Sequence, residues 1–101
     1  MQLTITARHC EISEELRLRA TEVLTRLGSV VNRPVDGMVV FDVAPTEVTA
    51  EIRLHGGRGD DFLATGEGKD HRSALDRAEE KIRRQVEKAG ARRSRSAKDA
   101  V

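Results

Sequence analysis

Residues 73–89 read SALDRAEEKIRRQVEKA, and their periodicity predicts a helix whose apolar side the rest of the chain must cover. At about 100° per residue, the apolar side chains of this segment fall on one side of a helix. They are Leu75, Ala78, Ile82, Val86 and Ala89. A single apolar side predicts a helix that packs on one neighbouring layer, and Gly90 is expected to end it.

Four cations follow the opposite side of this helix, and we call them the basic stripe: Arg77, Lys81, Arg84 and Lys88. Three acids lie on a flank between the two sides: Asp76, Glu80 and Glu87. A generic solvated helix intersperses its signs to form i,i+4 pairs. The sorted cations therefore predict an anionic partner.

The composition narrows the kind of partner. The 101 residues predict one domain, with 35% charged and 2% aromatic residues and neither Trp nor Tyr. Base stacking on aromatic side chains is therefore excluded as a main mode of binding. Residues 69–101 carry 11 Lys and Arg against 6 Asp and Glu, whereas residues 1–68 carry 7 against 11. This asymmetry predicts a directed basic surface. Because the basic stripe offers Arg and Lys but few Asn or Gln, we expect it to contact phosphates and RNA shape rather than base edges.

The N-terminal third predicts a strand followed by a helix. Residues 2–7 alternate in polarity, and Ser13 precedes two acids as a helix N-cap does. Apolar residues at helical spacing continue to Gly28, which is expected to end this first helix. Arg19 and Arg26 share one flank of it and form a second, weaker cationic edge that we include in the predicted RNA-binding set.

Three further strands follow. Residues 32–37 are predicted as a loop, 38–43 as a buried strand, 48–55 as a half-exposed strand, 56–59 as a hairpin connection and 62–66 as the returning strand. The order β-α-β-β-β-α predicts an α+β fold: a four-stranded mixed sheet, its first strand parallel to a central one, with two helices on one face. The domain is predicted over residues 1–90, followed by a flexible basic tail over residues 91–101.

No catalytic arrangement emerges from the pattern. The three histidines lie on separate predicted elements, and Cys10 is the single cysteine. We therefore expect no enzyme, no metal or other cofactor and no small-molecule substrate, with Cys10 as a small buried residue. Residues 56–59 are glycine-rich but join two strands, whereas phosphate-binding loops open a helix. Residues 58–60 spell an adhesion tripeptide that turn chemistry explains better.

Nothing in the sequence predicts export or membrane insertion. A lone cysteine forms no internal disulfide, the first residues lack a charged and apolar leader pattern, and the apolar runs are too short to span a bilayer. The expected location is the cytoplasm.

Two segments resemble a known signature. They are DHRSALD at residues 70–76 and EKIRRQVEK at residues 80–88, and LTI at residues 3–5, RH at 8–9 and EISEELR at 11–17 also fit. Together they resemble the ribosome hibernation-promoting factors and ribosome-associated translation inhibitors of bacteria and plastids, the sigma-54 modulation protein family. The resemblance covers residues 2–93 in the same element order.

The resemblance implies a fold similar to double-stranded RNA-binding domains. It implies binding to the rRNA of the small ribosomal subunit, over the channel of messenger and transfer RNA, and repression of translation in stress. By position, Lys81, Arg84 and Lys88 match the family's basic helix, Arg77 joins them by geometry, and Arg92 and Arg93 resemble basic residues just beyond it.

The chain also departs from the family. His71 and Arg72 stand where an aromatic residue is usual, and the C-terminal dimerisation domain of long members is absent from these residues. Whether the chain pairs ribosomes or occupies single ones stays open. Two alternatives remain: a generic binder of double-stranded RNA, and a protein-interaction module that homodimerises through its exposed sheet face.

Overall fold

A computed structural model of the chain describes residues 2–31, 34–56 and 61–99, with side chains for all of these except residues 34, 35 and 90–99. Six elements follow one another: β1 (Gln2–Ala7), α1 (Glu14–Val30), β2 (Pro34–Val43), β3 (Val48–Gly56), β4 (Asp61–Gly68) and α2 (His71–Asp99). This order confirms the β-α-β-β-β-α prediction.

The four strands form one mixed sheet in the order β1-β2-β3-β4. β1 pairs with β2 in parallel, and the other two pairings are antiparallel, as predicted. One row of partners crosses the whole sheet on its inner face: Ile5, Val39, Ile52 and Ala64. Side chains alternate between the two faces along each strand, so the strand residues on either side of these four belong to the outer face.

The core lies between this inner face and the two helices. Val23, Leu24 and Leu27 of α1 and Leu75 and Ile82 of α2 are buried against it. Burying each such side chain fully stabilises the fold by about 1.5–3 kcal/mol. The core is almost entirely aliphatic, and Phe41 of β2 is its one fully buried aromatic side chain among the described residues.

The two glycines expected to end helices do not end them. α1 passes through Gly28, which is buried, and ends at Val30, where the chain becomes extended at Val31. α2 passes through Gly90 and runs to Asp99. A glycine inside a helix costs only about 1 kcal/mol relative to alanine. A glycine ends a helix where it adopts a left-handed conformation, and both of these glycines instead lie within the helical segments.

Three other elements, β2, β4 and α2, also begin earlier in the structure than the sequence predicted. β2 begins at Pro34 rather than at residue 38, so most of the predicted loop is strand. Gly37 pairs with Leu3 on one side and Leu54 on the other, and hydrogen bonding to two strands overrides the turn signal of Asp36 and Gly37. α2 begins two residues earlier than predicted, and β4 spans Asp61–Gly68.

Residues 57–59 of the predicted hairpin connection lie outside the described residues, as does the adhesion tripeptide at residues 58–60, and Gly56 is the last residue of β3. The division into a domain over residues 1–90 and a flexible tail stays a prediction. Among the described residues, no helix has the length and apolarity needed to cross a membrane.

Candidate nucleic-acid interface

The start of α2 is fixed by Asp70. Its carboxylate accepts a hydrogen bond from the backbone N–H of Ser73 at 2.7 Å, and its carbonyl accepts one from Ala74. The bond from Ser73 satisfies an N–H group that the first helical turn would otherwise leave unpaired, and the bond from Ala74 is the first i→i−4 bond of the helix. The Ser73 N–H, which favours the charged carboxylate, is the main cause that holds the pKa of Asp70 below its ordinary value.

Two glycines let α2 lie directly on β4. A Cβ atom added at Gly66 would lie 2.1 Å from the Ala74 carbonyl oxygen and 2.5 Å from the Ala78 nitrogen. A Cβ atom added at Gly68 would lie 3.1 Å from the Ala74 nitrogen. Because no side chain stands between helix and strand here, side chains on the flank of α2 can reach the outer edge of β4.

Two cations of the basic stripe use this reach. Arg77 Nη1 donates to the carbonyl of Glu67 at 2.7 Å, and Lys81 Nζ donates to the carbonyl of Thr65 at 3.0 Å. β4 is the last strand of the sheet, so these carbonyls have no strand partner on that side. Both cationic side chains remain exposed. One bond each leaves the guanidinium and the ammonium with further donors.

Gln85 makes a third contact with the same edge, and the sequence did not single it out for this. Its Nε2 donates to the carbonyl of Leu63 at 2.8 Å, and its Oε1 accepts from the N–H of Leu63 at 3.3 Å. The spacing of 77, 81 and 85 by four residues was visible in the sequence, but the strand edge that they meet was not. The amide is thus engaged by backbone groups.

The remaining stripe residues lie farther along α2. Arg84 donates to Glu80 at 2.7 Å, with 74% and 65% of the two side chains exposed. Lys88 is exposed. The prediction that the signs are fully sorted was therefore wrong, because Glu80 lies within i,i+4 reach of Arg84. An exposed pair of this kind contributes only about 0.3–0.5 kcal/mol, so the guanidinium can exchange it for another anion.

Arg19 and Arg26 do not join the basic stripe. Arg19 donates to Asp76 at 2.8 Å and Arg26 to Glu79 at 3.1 Å, so both form ion pairs between α1 and α2. The bond and the charge of Asp76 are the main causes that raise the pKa of Arg19. These contacts lie on the flank of α2 that faces α1, whereas the stripe borders β4. Arg19 and Arg26 as RNA contacts stay predictions.

Glu79 is the centre of the ion pairs between α1 and α2, which we call the seam. Only 12% of its side chain is exposed, and a second cation, Arg83, also donates to its carboxylate at 3.0 Å. The seam thus uses cations to balance acids of the fold itself.

The backbone of α2 extends through the positions of Arg92 and Arg93. Their side chains lie outside the described residues, so their predicted RNA contacts stay predictions.

The structure brings together one pair that the sequence kept apart. Cys10 Sγ lies 3.8 Å from His71 Nε2, and Nε2 lies 3.0 Å from the carbonyl of Asp42. A nitrogen that donates to a carbonyl carries its own proton and cannot accept the thiol's, so this contact does not form a nucleophile–base pair. His71 instead packs edge-on against Phe41, with ring centroids 5.5 Å apart. Among the described residues, no cluster of three or more His, Cys, Asp or Glu is placed to hold a metal ion.

Comparison with known proteins shows which family the chain is similar to. Residues 3–94 match the family described as Sigma 54 modulation protein / S30EA ribosomal protein. The chain is 34% identical over 88 residues to the ribosome hibernation promoting factor of Escherichia coli strain K12, a match that covers 87% of this chain and 92% of that protein.

Two solved structures have the same fold. A ribosomal subunit interface protein from Coxiella burnetii matches with a TM-score of 0.77 at 19% identity, over 90% of this chain and 99% of that one. The N-terminal domain of Protein Y from Thermus thermophilus matches with a TM-score of 0.73 at 26% identity, over 87% and 98%. The resemblance noted in the sequence is thereby confirmed, and the chain belongs to the Sigma 54 modulation protein / S30EA ribosomal protein family.

Proposed function

We propose that this protein binds the rRNA of the small ribosomal subunit at the channel of messenger and transfer RNA, and that it represses translation in stress or stationary phase. Family membership marks it as a ribosome-associated protein rather than an enzyme. The observation that carries the proposal is the exposed basic stripe on α2: Arg77, Lys81, Arg84 and Lys88. The cytoplasm, where ribosomes are, is the corresponding location.

The chemistry of the stripe favours phosphates over bases. Cations contact backbone phosphates without reading sequence, whereas amide side chains read adenine edges. The one amide beside the stripe, Gln85, is already bonded at both ends to Leu63. The outer sheet face is a poor alternative for RNA, because it carries acids such as Glu51, Asp61 and Glu67. We therefore expect α2, and not the outer sheet face, to contact the RNA.

Cosedimentation with purified small subunits at rising salt tests the proposal. If all four stripe cations contact phosphates, the slope of log K against log salt is about −3 to −4. Between 50 and 200 mM salt, this slope predicts roughly a hundredfold loss of affinity. A salt-independent affinity would refute the proposal. A preference for isolated RNA duplexes over assembled subunits would favour a generic double-stranded RNA binder instead.

The variants follow from the contacts of each cation. Arg84→Gln and Lys88→Gln remove charges that do not bond to the sheet, and each should make the slope about one unit less steep. Arg53→Gln is the matched control, because Arg53 is an exposed arginine on the outer sheet face that pairs with Glu51. Charge reversal at Lys81 is a less clean test, since it would place a carboxylate against the carbonyl of Thr65.

A further inference from the structure

Three side chains of α2 occupy the outer edge of β4, and we call these contacts the edge ladder. Arg77 bonds to Glu67, Lys81 to Thr65, and Gln85 to Leu63. We propose that the edge ladder positions Arg77 and Lys81 for binding phosphate, with Gln85 as the uncharged positioning residue. This inference rests on the proposed function, because it assigns a role in the same RNA contact.

The ladder follows from matching repeats. Four residues of a helix rise about 6 Å, and two residues of a strand span about 6.7 Å. A helix antiparallel to a strand can therefore place every fourth side chain beside every second strand residue. The side-chain series 77, 81, 85 meets the strand series 67, 65, 63 in this way. The next helix position in the series is Ala89, which has no donor, so the series ends there.

Gln85 differs from the other two members. It holds both the N–H and the carbonyl of Leu63, whereas each cation holds a single carbonyl. Two bonds to one residue fix the register of α2 along β4 more firmly than one bond does. Because the amide is neutral, it fixes this register without competing for a phosphate.

Prior ordering matters because Arg and Lys are flexible. Immobilising such a side chain when a ligand binds costs affinity, and a side chain that is already held loses less. The bonds to Thr65 and Glu67 use one donor of each cation and leave the others for an anion. The same bonds cover the strand edge, which limits pairing with the edge of another chain.

The test compares the same Gln→Met substitution at the two glutamines of the chain, one in the edge ladder and one outside it. Gln85→Met keeps the size of the side chain and removes both bonds to Leu63, and Gln2→Met makes the same change at an exposed position of β1. Small-subunit affinity is measured against salt at a temperature where all proteins are folded. We expect Gln85→Met to bind several-fold more weakly with an unchanged salt slope, because the charges are all present. Gln2→Met should bind as the unsubstituted protein does.

A second readout needs no ribosome. NMR relaxation of the Arg77 Nε–H and the Lys81 ammonium should show more motion in Gln85→Met than in Gln2→Met, together with faster exchange of the Leu63 amide. Equal affinity at every salt concentration, or unchanged motion of both cations, would overturn the inference. If the unsubstituted protein fails to bind subunits, the proposed function fails, whereas the relaxation data still decide whether Gln85 orders the cations.

Discussion

Gly66→Ala is predicted to destabilise the fold by forcing α2 away from β4. The added Cβ atom would lie 2.1 Å from the Ala74 oxygen and 2.5 Å from the Ala78 nitrogen. Ordinary contacts begin near about 3.5 Å, so helix and strand must separate by roughly 1 Å or more. Both opposing atoms belong to the helix backbone and cannot rotate away. The cost therefore lies near the upper end of the overpacking range, at about 3 kcal/mol.

Part of this cost is offset, because replacing glycine restricts the unfolded chain and gains about 0.4–1 kcal/mol. The net loss of about 2–3 kcal/mol corresponds to a Tm lowered by roughly 10–20 °C in a domain of this size. Urea unfolding followed by circular dichroism measures the free energy, and a calorimetric scan measures the Tm. We also expect faster exchange of the Leu63 amide, since the same separation pulls Gln85 from its partner.

Gly37→Ala is the matched control. Its Cβ atom would meet only the ends of two leucine side chains, Leu24 Cδ2 at 3.2 Å and Leu3 Cδ2 at 3.3 Å. Leucine ends can shift by a few tenths of an ångström, so this variant should stay within about 1 kcal/mol of the unsubstituted protein. If Gly66→Ala loses no more stability than Gly37→Ala, then direct backbone packing of α2 on β4 is not what holds the helix.

Three further substitutions test single contacts. Asp70→Ala removes the N-cap of α2 and should lower the free energy of unfolding measured with urea at neutral pH. Since the folded state lowers the pKa of Asp70, this contribution is present above the unfolded pKa, and the gap between the two proteins should close as pH falls through the folded pKa. The hydrogen bond and charge of Asp61 raise the pKa of His55, so its stabilisation is present below the ordinary histidine pKa and is lost as pH rises through the folded one. Asp61→Asn should return the His55 pKa toward its ordinary value in an NMR titration, and no change would contradict the pairing. Lys81→Gln should leave stability within about 0.5 kcal/mol while making the salt slope of subunit binding about one unit less steep; a loss of stability with an unchanged slope would show that Lys81 serves the fold alone.

The sequence predicted those features of the fold that depend only on residues close together in the chain. The apolar positions of α2 and the Ser13 cap are of this kind, and Ser13 accepts from the Leu16 N–H at 3.0 Å. Contacts between distant segments were not predictable in the same way. Nothing near Arg19 in the sequence shows that it meets Asp76, 57 residues later. Likewise, the partner of Lys81 depends on the position of α2 along β4, and the close contact at Gly66 helps to set that position.

The cations of the basic stripe can serve the fold or an anionic partner, and the edge ladder separates these two roles. A strand carbonyl needs a donor but not a charge, and Gln85 shows that a neutral amide meets this need on the same edge. The cations at 77 and 81 thus supply more than the carbonyls of Glu67 and Thr65 require. A charge that the fold does not require and leaves exposed is desolvated only when an anion replaces its water, and this is the property expected of a phosphate contact. The ladder accordingly supports an RNA-binding role for the two cations, even though it gives each of them a partner within the fold.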